Sequence, residues 1–231
     1  MKKFKLIKID NKLSIQVDNE KIKPLCVDFT SKKIIHRLQS PQKYQEPLIK
    51  AIGIKPNKSL TILDATAGLG RDGFMMAALG AKVILLERNN VIFQLLEDGI
   101  KRAKNNTNTK NNEKVTRNLI NIQQTANNMY LIDGDSIKQI PTLSVKYKPD
   151  IIYLDPMFSD LKSKSLPQKE MSILRMVAKD DDMLDCNELL NIALSNVKKV
   201  VVKQHKSSGF LLNKKNTFKK CSKEKFYCCS R

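Results

Sequence analysis

A short segment with two closely spaced glycines carries the first chemistry that this sequence suggests. Its sequence from 61 to 73 is TILDATAGLGRDG, and a helix-forming stretch, 74–79, follows at once. Gly68 and Gly70 let the backbone turn sharply and approach a ligand without a Cβ in the way. A strand, a glycine turn and a helix N-terminus in this order present a cofactor in Rossmann-like sheets. The segment therefore predicts a cofactor site at the end of the first core strand.

Asp64, at the end of that strand, bears on which cofactor binds there. The spacing Gly68-x-Gly70-x-x-Gly73 also matches the dinucleotide fingerprint, but this short pattern recurs by chance in loops. An acid at the strand end is common in methyltransferases that use S-adenosylmethionine (SAM), where it lies near the methionine amine. On this segment alone, three interpretations stay open: a SAM site, an NAD(P) site and a purely structural turn.

Two further predicted strand ends carry polar residues of a useful kind. Glu87 follows the apolar run 82–86, near the spacing at which an acid binds ribose hydroxyls. Its carboxylate can accept two hydrogen bonds, which a diol supplies. The segment Asp133–Ser136 offers a carboxylate or a hydroxyl for the adenine edge. The alternatives are a solvated strand end for Glu87 and a simple turn with a helix N-cap for the second segment.

The fourth strand end, Asp155-Pro156-Met157-Phe158, indicates methyl transfer to an amine. It is close to the Asp/Asn-Pro-Pro-Phe/Tyr tetrapeptide of methyltransferases that modify exocyclic amino groups of bases. Such an amine is a poor nucleophile because its lone pair is delocalised into the ring. A carboxylate and a backbone carbonyl that accept its N–H bonds localise the lone pair. Pro156 fixes the turn, and Phe158 stacks on the base. An ordinary strand-end turn with a core phenylalanine is the alternative.

The elements that position these strand ends alternate between strand and helix patterns. Core strands are predicted at 59–63, 82–86, 129–132, 150–154 and 197–203, and helices at 47–52, 74–79, 91–103, 171–177 and 187–194. A further short helix from Ser136 is predicted to end before Pro141, a loop is predicted at 104–118, and a terminal hairpin at 217–229. The alternation predicts a Rossmann-like α/β fold with a mostly parallel sheet. Residues 1–40 are predicted to be a small N-terminal β-rich region, and residues 41–231 the main domain.

Composition indicates which class of partner the protein binds and where it is located. The chain has 231 residues with 42 basic and 23 acidic side chains, a net charge of +19, which favours a nucleic-acid partner. An AT-rich genome, which enriches lysine, is the alternative explanation. No apolar run approaches the roughly 20 residues that span a bilayer, and no signal peptide is recognised. A cytoplasmic location is therefore expected. The five cysteines lack CxxC spacing and there are two histidines, so no metal site is expected.

Eight short segments together resemble one protein family. They are VDF (27–29), HR (36–37), LDATAGLGRD (63–72), LERN (86–89), LLEDGI (95–100), YLDPMF (153–158), KEM (169–171) and VVVK (200–203). This set is similar to the RsmJ family, bacterial SAM-dependent methyltransferases that make N2-methylguanosine in small-subunit (16S) ribosomal RNA. NAD enzymes do not combine these motifs, so the resemblance favours SAM as the cofactor.

The resemblance also implies roles for residues. With the glycine turn, the predicted SAM-binding residues are Asp64, Gly68, Gly70, Arg71, Asp72, Glu87, Arg88, Asp135, Ser136 and Asp155. The predicted catalytic residues are Asp155, Pro156 and Phe158, with Asp155 at the junction of cofactor and base. The implied partner is ribosomal RNA or the small ribosomal subunit, without membrane or metal, and the oligomeric state is left open. Lys203 and the two residues that follow it are predicted to touch RNA.

The chain departs from the family pattern in three respects, and two other functions stay open. The N-terminal region looks shorter than is usual in the family, the segment LQSPQK (38–43) replaces a glycine-rich one, and Asp135-Ser136 replaces two small hydroxylated residues. One alternative function is methylation of another exocyclic amine, such as adenine N6; Met157, in place of a second proline, argues against it. The other is a catalytically silent RNA-binding protein on the same scaffold, against which the intact Asp64 and Asp155 argue.

Overall fold

Short apolar strands that alternate with amphipathic helices build the chain, as its sequence predicts. The structure is a computed structural model that describes residues 4–18, 22–106, 121–156, 168–177, 186–203, 218–220 and 226–230. The N-terminal part is an antiparallel sheet of β1 (Phe4–Ile9), β2 (Lys12–Val17) and β3 (Leu25–Cys26), followed by helix α1 (Lys32–Gln39) and a 3-10 turn (Lys43–Gln45).

The central sheet contains seven strands. They are β4 (Thr61–Asp64), β5 (Lys82–Glu87), β6 (Met129–Asp133), β7 (Ile151–Leu154), β8 (Lys199–Lys203), β9 (Phe218–Lys220) and β10 (Phe226–Ser230). Their order across the sheet is β6-β5-β4-β7-β8-β10-β9. The first five are parallel, whereas β10 runs antiparallel to both of its neighbours. The predicted mostly parallel sheet and the predicted terminal hairpin are confirmed.

Helices cover both faces of this sheet. They are α2 (Pro47–Ile52), α3 (Arg71–Ala78), α4 (Asn90–Lys104), α5 (Ile122–Asn127), α6 (Ser136–Tyr147), α7 (Gln168–Val177) and α8 (Cys186–Asn196). Helices α6 and α8 share a hydrophobic cluster with Leu63, Ile84 and Ile152 on one face. The other helices and the N-terminal strands share the cluster on the opposite face, which we call the α3 face. The result is a three-layer α/β/α arrangement.

Strand periodicity decides which polar side chains meet. Successive residues of a strand point to opposite faces, so every second residue shares a face. Ile62, Leu85, Tyr153 and Val201 all belong to the cluster of the α3 face. The residues two positions further along their strands are Asp64, Glu87, Asp155 and Lys203, which places all four on the α3 face at the carboxyl edge of the sheet.

The N-terminal strands pack on this same face. The ring of Phe29 stacks on Phe74 of α3 with centroids 4.3 Å apart. Val27 lies so close to α4 that a Cβ added at Gly99 would fall 2.4 Å from its Cγ1, so only a glycine allows this approach. The amide of Leu13 donates a 3.1 Å hydrogen bond to Asp98 of α4. The domain boundary at residue 40 stays a prediction.

Three local features differ from the sequence-based expectations. Helix α6 was expected to end before Pro141, but it continues through this residue to Tyr147. Burial of Ile140 and Leu143 against the sheet outweighs the backbone hydrogen bond that the proline cannot make. Helices α1 and α5 were not predicted. Most of the expected loop at 104–118 lies outside the described residues.

Candidate active site

The strand order opens a crevice between β4 and β7. From β4 the chain continues to β5 and β6 on one side, whereas β7 and β8 lie on the other. In open α/β sheets, ligands bind at such a switch point, outside the carboxyl ends of the strands. Asp64 ends β4 and Asp155 follows β7 directly, so the two predicted site segments border this crevice.

The glycine turn has the geometry that its sequence predicts. Gly68 and Gly70 have φ angles of +53° and +69°, in the left-handed region that favours glycine. A Cβ at Gly70 would clash with Leu96 Cδ1, whereas a Cβ at Gly68 would meet only the Thr66 backbone oxygen, 4.0 Å away. Helix α3 begins at Arg71, directly after the turn. The turn therefore presents bare backbone and a helix N-terminus to the crevice.

Glu87 supports this turn from the neighbouring strand. Its Oε2 accepts a 2.8 Å hydrogen bond from the amide of Gly68, and its Oε1 accepts one of 2.8 Å from the amide of Asn89. The residue is 8% exposed. Glu87, the residue predicted to bind the ribose, therefore also fixes the backbone conformation at Gly68 and Asn89.

Asp72, in the first turn of α3, is the centre of a charged network. Its Oδ2 accepts hydrogen bonds from the Tyr153 hydroxyl and the Lys203 ammonium, both at 3.0 Å. Its Oδ1 lies 3.4 Å from Arg37 Nη1, and Arg37 also pairs with Glu46 at 2.7 Å. Burial works to raise the pKa of Asp72, but Lys203 and Arg37 outweigh it and hold the pKa below its usual range. Asp72 is therefore ionised.

The pKa of Asp64 is raised, whereas that of Asp72 is lowered. Asp64 is 1% exposed, and its Oδ1 accepts a 3.2 Å hydrogen bond from the Thr66 amide. Burial raises the pKa of Asp64 well above its usual range, and the carboxylates of Asp72 and Asp155 raise it further against the effect of that amide. Its charged form is thus unfavourable until a cation arrives.

Asp155 lies at the opening of the crevice. Its amide donates a 2.6 Å hydrogen bond to the Thr66 hydroxyl, which ties the end of β7 to the glycine turn. Its Oδ2 accepts a 2.6 Å hydrogen bond from Lys203, and its side chain is 35% exposed. Pro156 follows and is buried, whereas Met157 and Phe158 lie outside the described residues. Phe158 therefore stays a prediction.

The remaining predicted site residues border the crevice with partners of their own. Arg71 pairs with Glu170 of α7 at 2.9 Å, and Arg88 lies 3.8 Å from Asp135. Asp135 caps α6 by accepting from the Lys138 amide at 3.1 Å. The hydroxyl of Ser136, which is 5% exposed, donates to the backbone oxygen of Ala65. The SAM contacts expected of these residues stay predictions.

Three residues of the network were not foreseen from the sequence. They are Arg37, Thr66 and Tyr153, which contact Asp72 or Asp155. Lys203 was expected to touch RNA, but its ammonium lies between Asp72 and Asp155. One feature of the sequence could have indicated this position: Lys203 ends an apolar strand, as Asp155 directly follows another. In the structure these strands, β8 and β7, are neighbours. Leu154 pairs with Val202, so Asp155 and Lys203, one position further on, lie side by side.

Among the described residues, no group of three or more histidine, cysteine or acidic side chains is arranged to hold a metal ion. None of the helices in the described ranges has the length and apolarity that crossing a bilayer requires.

A glycine turn and acids at the carboxyl edge of a sheet with this order define a Rossmann-like cofactor-binding protein. A family described as "Putative SAM-dependent methyltransferase" matches residues 1–228. The chain is 37% identical over 201 residues to ribosomal RNA small subunit methyltransferase J of Colwellia psychrerythraea, covering 87% of this chain and 67% of that protein. It is 36% identical over 220 residues to the protein of that name from Haemophilus influenzae, covering 94% and 79%. The chain belongs to the RsmJ family of SAM-dependent methyltransferases.

A solved structure agrees with this assignment. The SAM-dependent methyltransferase NGO1261 from Neisseria gonorrhoeae superposes with a TM-score of 0.68 at 29% identity, covering 95% of this chain and 79% of that one. The predicted Rossmann-like fold and SAM as the cofactor are confirmed.

Proposed function

We propose that this enzyme transfers a methyl group from SAM to the exocyclic N2 of a guanosine in small-subunit ribosomal RNA. The observation that carries the proposal is the Asp155 carboxylate beside the glycine turn, held by Lys203 at 2.6 Å. Relatives that are 36% and 37% identical carry the name ribosomal RNA small subunit methyltransferase J, which supports the RNA substrate. The resemblance of the Asp155-Pro156 segment to exocyclic-amine methyltransferases supports an amine as the target.

The donor set around the crevice fits SAM. Gly68, with a φ of +53°, carries no side chain that would protrude from the turn. The acids Asp64 and Asp72 suit a ligand that carries an ammonium and a sulfonium, because opposite charges stabilise each other strongly in a buried site. The carboxylate of Glu87, at the end of β5, is a suitable acceptor for the two hydroxyls of a ribose diol. We assign cofactor binding to these residues together with Gly70, Arg71, Arg88, Asp135 and Ser136.

Asp155 would act on the amine. When bound, SAM supplies the methyl group and its sulfur leaves as a neutral thioether. The Asp155 carboxylate accepts an N–H bond of the amine, which shifts the nitrogen lone pair out of the ring and towards the methyl group. The backbone carbonyl that Pro156 orients accepts the second N–H bond, and Phe158 stacks on the base. This mechanism uses positioning and electrostatics, without a covalent enzyme intermediate.

The proton released from the amine needs an acceptor on the chain. After the N–CH3 bond forms, the amine nitrogen carries a positive charge and one proton too many. Asp155, which is 35% exposed, can take this proton and pass it to solvent. Lys203 cannot take it, because Asp72 and Asp155 outweigh the effect of burial and raise its pKa, so it stays an ammonium.

The excess of basic residues suits an RNA substrate. The net charge of +19 provides the attraction to phosphates that dominates nucleic-acid affinity. Phosphate contacts position the RNA, whereas the pocket around Asp155 selects the base.

Replacing Asp155 tests this proposal. Asp155→Asn keeps the shape of the side chain but removes its charge, and we expect methyl transfer to small-subunit RNA to fall by about 100-fold or more. RNA affinity is expected to stay within a few-fold. Asp150→Asn is the matched control, because Asp150 precedes the same strand at the opposite edge of the sheet, where it accepts from the Thr61 amide at 2.8 Å. Near-normal transfer by Asp155→Asn would refute the mechanism.

A further inference from the structure

Lys203 brings a cation into the interior of the candidate active site. It is the last residue of β8, and its Nζ lies 2.6 Å from Asp155 Oδ2 and 3.0 Å from Asp72 Oδ2. Its side chain is 24% exposed. Lysine has three N–H donors, of which these two carboxylates engage two. Its ammonium therefore points into the crevice rather than out towards an RNA backbone.

Asp72, the carboxylate on one side of the Lys203 ammonium, is held firmly. Asp72 accepts not only from Lys203 but also from Tyr153 at 3.0 Å, and it lies 3.4 Å from Arg37. Burial raises the pKa of Tyr153 well above its usual range, so the phenol stays neutral and donates. Asp72 is thus fixed by three elements, α1, β7 and β8. A lysine held on such an anchor keeps its ammonium in one place.

Asp155, the carboxylate on the other side of the Lys203 ammonium, is the residue that contacts the substrate in the proposed function. Asp155 is 35% exposed, whereas Asp72 is 20% exposed. In the described part of the chain, the charged and titratable groups that bear on Asp155 or Lys203 include Asp64 from β4, Asp72 from α3, Tyr153 from β7 and Arg37 from α1. Without Lys203, the carboxylates of Asp72 and Asp155 would share the crevice, and like charges favour protonation of one of them.

We propose that Lys203 is a positioning residue that aims the Asp155 carboxylate and keeps it ionised for the incoming amine. A protonated Asp155 would lose acceptor strength, and an unanchored one would rotate away from the amine. The inference deepens the proposed function, since it rests on Asp155 accepting the amine N–H bond. It replaces the expectation that Lys203 contacts an RNA phosphate.

Two variants of Lys203 and one control separate these roles. Lys203→Met removes the charge and nearly keeps the side-chain length, whereas Lys203→Arg keeps the charge with a different shape. Lys199→Met is the control, because Lys199 begins the same strand at the opposite edge, where its Nζ donates to the Ile52 backbone oxygen at 2.8 Å. Transfer to undermethylated small-subunit RNA is measured as kcat and KM against pH.

We expect Lys203→Met to lower kcat about 100-fold while KM for RNA stays within a few-fold. The acid limb of the kcat profile is expected to move up by about one pH unit or more. Lys203→Arg is expected to lower kcat less and to leave the acid limb in place, and Lys199→Met to behave as the parent enzyme. A raised KM at unchanged kcat, in either Lys203 variant, would overturn the proposal in favour of a phosphate contact.

A measurement without substrate separates this inference from the proposed function. The Asp155 carboxyl is titrated by NMR with 13C-labelled aspartate in the parent protein and in Lys203→Met, with Asp155→Asn to assign its signal. We expect Lys203→Met to raise the pKa of Asp155 by about one unit or more. An unchanged pKa would overturn the inference even if the enzyme methylates ribosomal RNA. If Lys203→Met does not fold, an acid limb in Lys203→Arg that shifts upwards overturns it.

Discussion

The amide of Gly68 donates a 2.8 Å hydrogen bond to Oε2 of Glu87, so one carboxylate from β5 holds the glycine turn that follows β4. The other oxygen of Glu87 accepts from the Asn89 amide, also at 2.8 Å. Glu87 thus holds both the backbone that follows β4 and the backbone that follows β5. Its loss should affect both the stability of the protein and the binding of SAM.

Glu87→Ala is expected to lower the free energy of unfolding by about 1–3 kcal/mol, because two backbone amides lose their partner. SAM affinity is expected to fall about tenfold or more, since a charged hydrogen-bond acceptor is lost. Calorimetry measures both quantities. Glu97→Ala is the control, because Glu97 on α4 is 44% exposed and pairs with Lys101 at 3.0 Å away from the turn. An unchanged SAM dissociation constant would show that Glu87 supports the turn alone.

Asp64→Asn is expected to stabilise the protein without ligand at pH 8. The pKa of Asp64 is raised in the folded state by burial and by the neighbouring carboxylates. The folded state therefore binds this proton more tightly than the unfolded state, and stability falls as pH rises through the folded pKa. Asparagine avoids that loss, so its advantage should shrink as the pH is lowered.

Thermal unfolding between pH 5 and pH 8 measures this advantage. The same variant is expected to bind SAM more weakly, since it removes a buried negative charge from a site for a cationic ligand. Asp150→Asn, at the exposed opposite edge of the sheet, controls for the loss of one carboxylate. Lower stability of Asp64→Asn than of the parent protein at pH 8 would contradict the account.

Removing Lys32 and Lys33 is expected to weaken RNA binding. Both are exposed at the start of α1, the helix whose Arg37 reaches Asp72 at 3.4 Å. Lys33 lies one turn before Arg37 on the same side of the helix, close to the opening of the crevice. The double alanine variant should lower RNA affinity and reduce the slope of log K against log salt by about two.

A matched pair of lysines provides the control for that experiment. Lys55 and Lys58 are equally exposed but precede β4, at the edge of the sheet opposite the crevice. Their double alanine variant changes the net charge by the same amount and is expected to leave the affinity and the salt slope nearly unchanged. Equal losses in both variants would indicate a diffuse charge effect and would contradict docking at α1.

The strand ends of this fold could be read from the sequence because each combines an apolar run with a polar terminus. Asp64, Glu87 and Asp155 lie at the carboxyl edge, as predicted. Pairing between distant segments was harder to predict. The contact of Arg37 with Asp72 requires the docking of α1, a helix whose eight residues gave no clear signal, because its buried face is short.

The contacts of Lys203 could not be predicted from the sequence of its own strand. A lysine at the end of a strand is ordinarily solvated, and the sequence alone favoured contact with RNA. Lys203 is partly buried because β8 lies beside β7, which places Lys203 across from Asp155. Asp72 of α3 contacts the same ammonium. Pro141 is a similar case, because tertiary packing of α6 overrides the local preference of proline.

The most direct test of the account is methyl transfer from radiolabelled SAM to small ribosomal subunits that lack the native methylation, followed by nucleoside analysis. We expect label in N2-methylguanosine, and its loss in Asp155→Asn but not in Asp150→Asn. Label in another nucleoside would contradict the assigned target atom. SAM binding without any transfer would contradict the assigned substrate, and absence of SAM binding would favour a catalytically silent RNA-binding protein.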